Sequence, residues 1–155
     1  MRIGYGYDVH RLKEGKPCIL CGIVIPSEFG PDGHSDADVA VHALIDALLG
    51  AAALGDIGSH FPDNDEKWKN ADSMLLLKQV YELIKNQGYA LSNADITIAL
   101  ERPKLSEYIP AMRKSVALAV SAEFDRISVK ATTEEGLGYI GSGQGIAASA
   151  VVLIE

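Results

Sequence analysis

Period-two alternation opens the chain. In "RIGYGYDVH", Ile3, Tyr5, Tyr7 and Val9 fall on one face of an extended segment over residues 2–9, and Gly4, Gly6, Asp8 and His10 fall on the other. Asp8 and His10 therefore point the same way, and the glycines beside them leave that face bare enough for another group to come close. Residues 18–26 read as a short hairpin or strand. The period then lengthens. Over 35–52, "VAVHALIDALLGAAAL" carries a helical apolar pattern, Ser35 with Asp38 fits a capping box, and Gly55 is a stop. On that helix Asp38, His42 and Asp46 recur at every fourth residue, along one face. Residues 55–70 read as a polar loop. A second helix is predicted over 72–87, with Leu77, Val80, Tyr81 and Ile84 on its stripe and Gly88 at its end. Alternation returns over 93–101, and a third helix is expected over 107–121. Then come a strand over 127–133, a glycine-rich loop over 134–145 and a last strand over 146–154. The last strand is apolar on both faces and so expected to be buried on both. Strands and helices mix without strict βαβ alternation, which predicts the α+β class with a mixed sheet.

The bulk numbers narrow the setting. A chain of 155 residues is expected to form one domain, residues 1–155, with a sizeable core. Its net charge of −7 argues against non-specific binding to nucleic acid or anionic membranes. An anionic substrate is still allowed if a metal or local cations neutralise it. No apolar run approaches the ~20 residues of a membrane helix. The first residues already read as strand, so no signal or transit segment is expected and the default location is the cytoplasm. Cys18 and Cys21 form a lone C-x-x-C. A zinc ribbon needs a second pair, and a redox motif opens a helix, so these are read as buried or half-buried structural thiols.

Three features carry chemistry. Asp8, His10 and His42 offer one carboxylate and two imidazoles, a donor set that suits zinc with a fourth position open, as in catalytic sites. A buried hydrogen-bond network is the alternative reading. Asp38 and Asp46, one turn either side of His42, are candidate partners that orient a ligand imidazole; alternatively Asp38 caps the helix and Asp46 is solvated. His34 and Ser35 sit at the predicted helix start, where free N–H groups seat an anion, or where Ser35 simply caps. In "KATTEEGLG", hydroxyls and backbone amides can hold phosphate, and Glu135 a hard cation such as Mg²⁺, or the segment is a strand ending in a turn. "ERPKL", residues 101–105, says little by itself.

Taken together, "GYDVHRL", "GHSDADVAVHALIDALLGAAALGDIGSHFPD", "ADSMLLL", "NADITIALERPKL", "PAMR" and "VKATTEEGLGYIGSGQGIA" resemble the 2-C-methyl-D-erythritol 2,4-cyclodiphosphate synthases over essentially the whole chain. The resemblance implies helices packed on one face of the sheet and a homotrimer whose sheets surround a central channel, with active sites between neighbouring subunits. It implies a lyase of the non-mevalonate isoprenoid pathway. The substrate would be 4-diphosphocytidyl-2-C-methyl-D-erythritol 2-phosphate, whose 2-phosphate attacks the β-phosphorus and expels CMP. By the same resemblance, Zn²⁺ or another divalent transition metal sits on Asp8, His10 and His42, and Mg²⁺ or Mn²⁺ on Glu135. His34 and Thr133 match transition-state-stabilising positions, and Ser35 lies beside the phosphate. Asp56, Ile57 and Gly58 match the stretch that holds the erythritol portion, with Phe61 through Asp65, Asp63 included, beside it. Leu100, Pro103, Lys104 and Leu105, with Ala131, Thr132 and Thr133, match the cytidine and phosphate pocket from the neighbouring subunit, and Tyr139 joins the substrate-binding set. One departure stands out. Ser142 and Gln144 occupy positions where arginine and glutamate are familiar in the family, the arginine lining the channel and gripping an isoprenoid diphosphate. A serine offers no such charge. Two other classes remain open, a metallohydrolase using a bound hydroxide and a metal-stabilised module that binds a cytidine diphosphate-like ligand without turnover.

Overall fold

Backbone approach between the first strand and the first long helix organises the molecule, seen in a computed structural model that describes residues 1–155. Strand β1 spans Arg2–Glu14, and the short strands β2 (Cys18–Leu20), β3 (Ile23–Ile25) and β4 (Phe29–Asp32) follow. Helix α1 covers Val39–Ala52, the turn of helix α2 covers Ile57–His60, and α3 covers Ser73–Asn86. The remaining elements are β5 (Leu91–Ala99), α4 (Ile109–Ala119), β6 (Ile127–Thr132), the turn α5 (Gly138–Gly141) and β7 (Gly145–Ile154). The five-stranded sheet runs β4-β1-β7-β5-β6, while β2 and β3 form a separate hairpin. Only β5 and β6 pair in parallel; the other neighbours are antiparallel. The fold is therefore α+β with a mixed sheet, as the alternation predicts. No helix is long and apolar enough to cross a membrane.

The glycine face of β1 is the buried one. A Cβ on Gly4 would lie 1.8 Å from the Ala47 carbonyl oxygen, and one on Gly6 would lie 2.0 Å from that of Ala43. The group that comes close to the bare face is thus the α1 backbone itself. Helix α1 is apolar almost all round and only Asp46 and Gly50 escape burial within it, because it lies between the sheet and other elements of the core. The opposite face of β1 stays open in the single chain, with Ile3 72% and Tyr5 63% exposed. Val151 on β7 is also exposed, so the expectation that the last strand is buried on both faces fails for one chain.

Three local readings change. The helix starts at Val39 with Asp38 as its N-cap, so the Ser35 capping box is not formed. Asp38 is fully buried and accepts the N–H groups of Cys21 (3.0 Å), Gly22 (2.8 Å) and Val41 (3.2 Å). Burial pushes its carboxyl up to about 6, against the pull of those three N–H groups. Cys21 and Gly22 form the two-residue turn of the β2–β3 hairpin with φ of 52° and 75°, the pair of positive angles such turns favour. Both cysteines are free and buried, and burial raises their thiols, as expected for structural positions. Strand β4 and the helical turns inside the loops 55–70 and 134–145 carry too few residues to show a period.

Gly6→Ala should destabilise the protein by about 3 kcal/mol, since the added methyl must displace helix backbone rather than a flexible side chain. Urea unfolding followed by circular dichroism measures this.

Candidate metal centre and cavity

The seam between β1 and α1 ends at a cluster of polar side chains. Continuing the glycine face, β1 presents Asp8 and His10, and α1 presents His42 one residue before the alanine that meets Gly6. Asp8 Oδ2 lies 2.9 Å from His42 Nδ1 and 3.0 Å from His10 Nε2, and the two ring nitrogens are 3.3 Å apart. Ligands about 2.0–2.1 Å from a tetrahedral ion stand about 3.3 Å from one another. The donor set and its spacing therefore fit a divalent metal. The second Asp8 oxygen accepts the Val9 N–H at 2.9 Å, which leaves Oδ2 for the cluster. Burial opposes ionisation of Asp8, yet the adjacent His10 and His42 imidazoles hold its carboxyl well below the usual range. Burial likewise opposes protonation of His10, but Asp8 raises its pKa overall.

His10 and His42 open into a cavity of about 440 Å³, whose lining includes His34, Ser35, Ile57, Gly58, Phe61 and Asp63. The structure thus brings together much of the metal and erythritol sets. Pro62, Asn64, Trp68 and Leu76 complete the wall. Pro62 and Asn64 fall in the stretch 61–65 expected beside the erythritol portion, while sequence reasoning missed Trp68 and Leu76; the one tryptophan of the chain, in an otherwise polar loop, was the available signal. Trp68 meets Phe61 edge-on with centroids 4.9 Å apart, and Lys67 Nζ lies 4.3 Å over its ring. Asp56 and Asp65 cap short helical turns: Asp56 accepts Ser59 N–H at 2.8 Å, and Asp65 accepts Lys67 N–H at 2.9 Å. His34 Nε2 lies 3.4 Å from the Asp65 carbonyl.

The expected orienting partners of His42 are not those found. Asp38 serves the hairpin and the helix start, and Asp46 accepts the Ile57 N–H at 2.7 Å. His42 Nε2 instead faces Ser73 Oγ at 2.8 Å and Ser35 Oγ at 3.1 Å. Nor do His34 and Ser35 stand on a free helix N-terminus, because the Asp38 carboxylate takes that position.

The second half of the expected site lies elsewhere in the chain. Asp8 is opposite Ala148, Ala148 opposite Ile98, and Ile98 opposite Ala131. Three strand spacings of about 4.8 Å separate Asp8 from Ala131 by about 14 Å. Beyond β5 and β6, the Leu100 N–H donates to the Thr132 carbonyl at 3.0 Å, and Thr133 Oγ1 donates to Glu135 at 3.4 Å. Thr132, Thr133, Glu135 and Lys104 are exposed, Pro103 is half-buried, and the Leu100 and Leu105 side chains belong to the core. Tyr139 hydrogen-bonds Tyr7 between hydroxyls 2.9 Å apart on the open face of the sheet. That contact, with burial second, pushes Tyr7 up to about 12.

The YgbB family description matches residues 1–155. A relative from Trichlorobacter lovleyi, named 2-C-methyl-D-erythritol 2,4-cyclodiphosphate synthase, is 61% identical over 154 residues, which cover 99% of this chain and 98% of that one. One of the same name from Salinibacter ruber is 57% identical, covering 100% and 99%. Among solved structures, the bifunctional IspDF from Campylobacter jejuni superposes with a TM-score of 0.95 at 45% identity, over 99% of this chain and 42% of that longer one. A 2C-methyl-D-erythritol-2,4-cyclodiphosphate synthase in its CDP-bound form gives 0.92 at 44% identity, over 99% and 100%.

His42→Ala should lower zinc affinity at least 100-fold while leaving the fold intact, since one of three ligands is lost. Full zinc occupancy of the purified variant, by metal analysis, would refute the ligand assignment.

Proposed function

The chain belongs to the YgbB family, the 2-C-methyl-D-erythritol 2,4-cyclodiphosphate synthases, and from that premise we propose how its residues carry the reaction. It is a phosphorus–oxygen lyase of isoprenoid biosynthesis. We assign 4-diphosphocytidyl-2-C-methyl-D-erythritol 2-phosphate as substrate. An oxygen of its 2-phosphate bonds to the β-phosphorus, the bond from that phosphorus to the bridging oxygen breaks, and CMP leaves with the oxygen and its electron pair. The product is 2-C-methyl-D-erythritol 2,4-cyclodiphosphate, and no water is consumed.

The observation that carries this reading is the Asp8–His10–His42 set facing a cavity with polar groups on its wall. Asp8, His10 and His42 would hold zinc and Glu135 would hold Mg²⁺ or Mn²⁺, and ions held there would withdraw charge from phosphate oxygens. The chain's own residues then position the substrate, which is most of what phosphoryl transfer asks of a protein. His34 and Thr133 stabilise developing charge, and Ser35 holds a phosphate oxygen. Asp56, Ile57 and Gly58, with Phe61, Asp63 and Asp65, hold the erythritol portion. Residues 100–106 and 131–133 take the cytidine and its phosphates, with the Leu100 and Leu105 contacts made through backbone.

We assign residues 1–155 as one catalytic domain acting as a homotrimer, with each site shared by two subunits. The separation of about 14 Å between Asp8 and Ala131 supports this, because the β6 end of a chain is far from its own metal set. The exposed stripe of Ile3, Tyr5, Tyr7 and Val9 also supports it, as an apolar face that a neighbouring subunit would cover.

Incubation with substrate and a divalent metal should give a cyclic diphosphate and CMP by ³¹P NMR. Open-chain phosphates would point to a metallohydrolase, and unchanged substrate to a binding module. Mixing inactive Asp56→Ala and Thr133→Ala subunits should restore part of the activity, because some interfaces then join two intact halves. Mixtures that stay inactive after proven subunit exchange would overturn the shared site.

A further inference from the structure

We propose that Ser73 and Asp36 are positioning residues that fix the proton direction around His42 and thereby set the affinity of the metal centre. This deepens the metal reading above and rests on it. Ser73 is the first residue of α3 and is fully buried. Both of its polar donors are committed to one carboxylate: its N–H donates to Asp36 Oδ2 at 2.9 Å, and its hydroxyl donates to Asp36 Oδ1. Asp36 is itself held in place, since Oδ1 also accepts the Asp38 N–H at 3.2 Å and its own N–H donates to the Ala71 carbonyl at 3.1 Å.

A serine hydroxyl has one proton. With that proton on Asp36, Ser73 Oγ meets His42 Nε2, 2.8 Å away, only as an acceptor. His42 must then carry its proton on Nε2, and the lone pair of Nδ1 is left for the cluster with Asp8 and His10. The carboxylate at the far end of the relay makes His42 a better electron donor, an effect that outer partners of metal-bound histidines commonly exert. Ser35 Oγ, 3.1 Å from the same nitrogen, is a weaker controller. It accepts the Ala37 N–H at 3.2 Å and borders the cavity, so its hydroxyl remains available to a phosphate.

The test uses the full chain and Co²⁺ as probe, with affinity measured by chelator competition. Ser73→Ala and Asp36→Asn should each bind Co²⁺ about 10- to 100-fold more weakly than the unchanged protein. Ser73→Thr, which keeps the hydroxyl, should recover most of that loss. Folded Ser73→Ala and Asp36→Asn that both bind Co²⁺ within twofold of the unchanged protein would overturn the relay. A readout independent of any variant is the His42 Nε2–H resonance in the zinc-loaded, ¹⁵N-labelled unchanged protein. It should be visible and slow to exchange, and exchange as fast as that of an exposed imidazole would overturn the proposal even if the variants fail to fold. Absence of Co²⁺ and Zn²⁺ binding by the unchanged protein would overturn the metal reading itself, a separate outcome.

Discussion

The close contact of β1 with α1 is the constraint on which the rest depends. Gly4 and Gly6 remove two side chains from the strand, and Ala43 and Ala47 keep the facing helix surface small. Strand and helix backbones can then approach to a distance that any Cβ on the strand would forbid. The same approach fixes the registry of the two elements. Immediately beyond Gly6 and Ala43 the small residues give way to Asp8, His10 and His42, which come within 3.3 Å of one another. A looser seam would leave three polar side chains half-buried and out of mutual reach, a costly arrangement.

Around this seam the carboxylates divide the work. Asp8 faces the cluster, Asp36 clamps Ser73, Asp38 caps α1 and ties down the hairpin turn, and Asp46 holds the entry to α2. The four sit within the first third of the chain, yet each satisfies a different set of donors. One buried acid, Asp38, and three half-buried ones are tolerated here because each has specific N–H, O–H or imidazole partners.

The sheet has two unlike faces. The inner face carries the seam and the core, while the outer face exposes tyrosines and aliphatic side chains along β1 and β7. The candidate phosphate and cytidine residues gather where β5 and β6 end, three strands from the metal set. On the proposed reading one chain carries two incomplete half-sites, and the exposed apolar outer face is where a second copy would bring unlike halves together.

The sequence by itself determined the class of the fold and most of its elements, because the long helices and paired strands have clear periods of 3.6 and 2. It also placed Asp8 and His10 together, since D-x-H on a strand puts both groups on one side whatever the strand packs against, and it offered His42 as a candidate third member of the set. Tertiary structure decided what periodicity cannot encode. It chose the glycine face of β1 as the buried one, against the pull of Ile3, Tyr5, Tyr7 and Val9, because backbone approach there outweighs the side-chain burial that a single chain can offer. It made Asp38 rather than Ser35 the cap, because only Asp38 also reaches the hairpin turn. It set Ser73, 31 residues along the chain, against His42, a pairing that depends on how α3 packs beside α1 and that no local pattern carries.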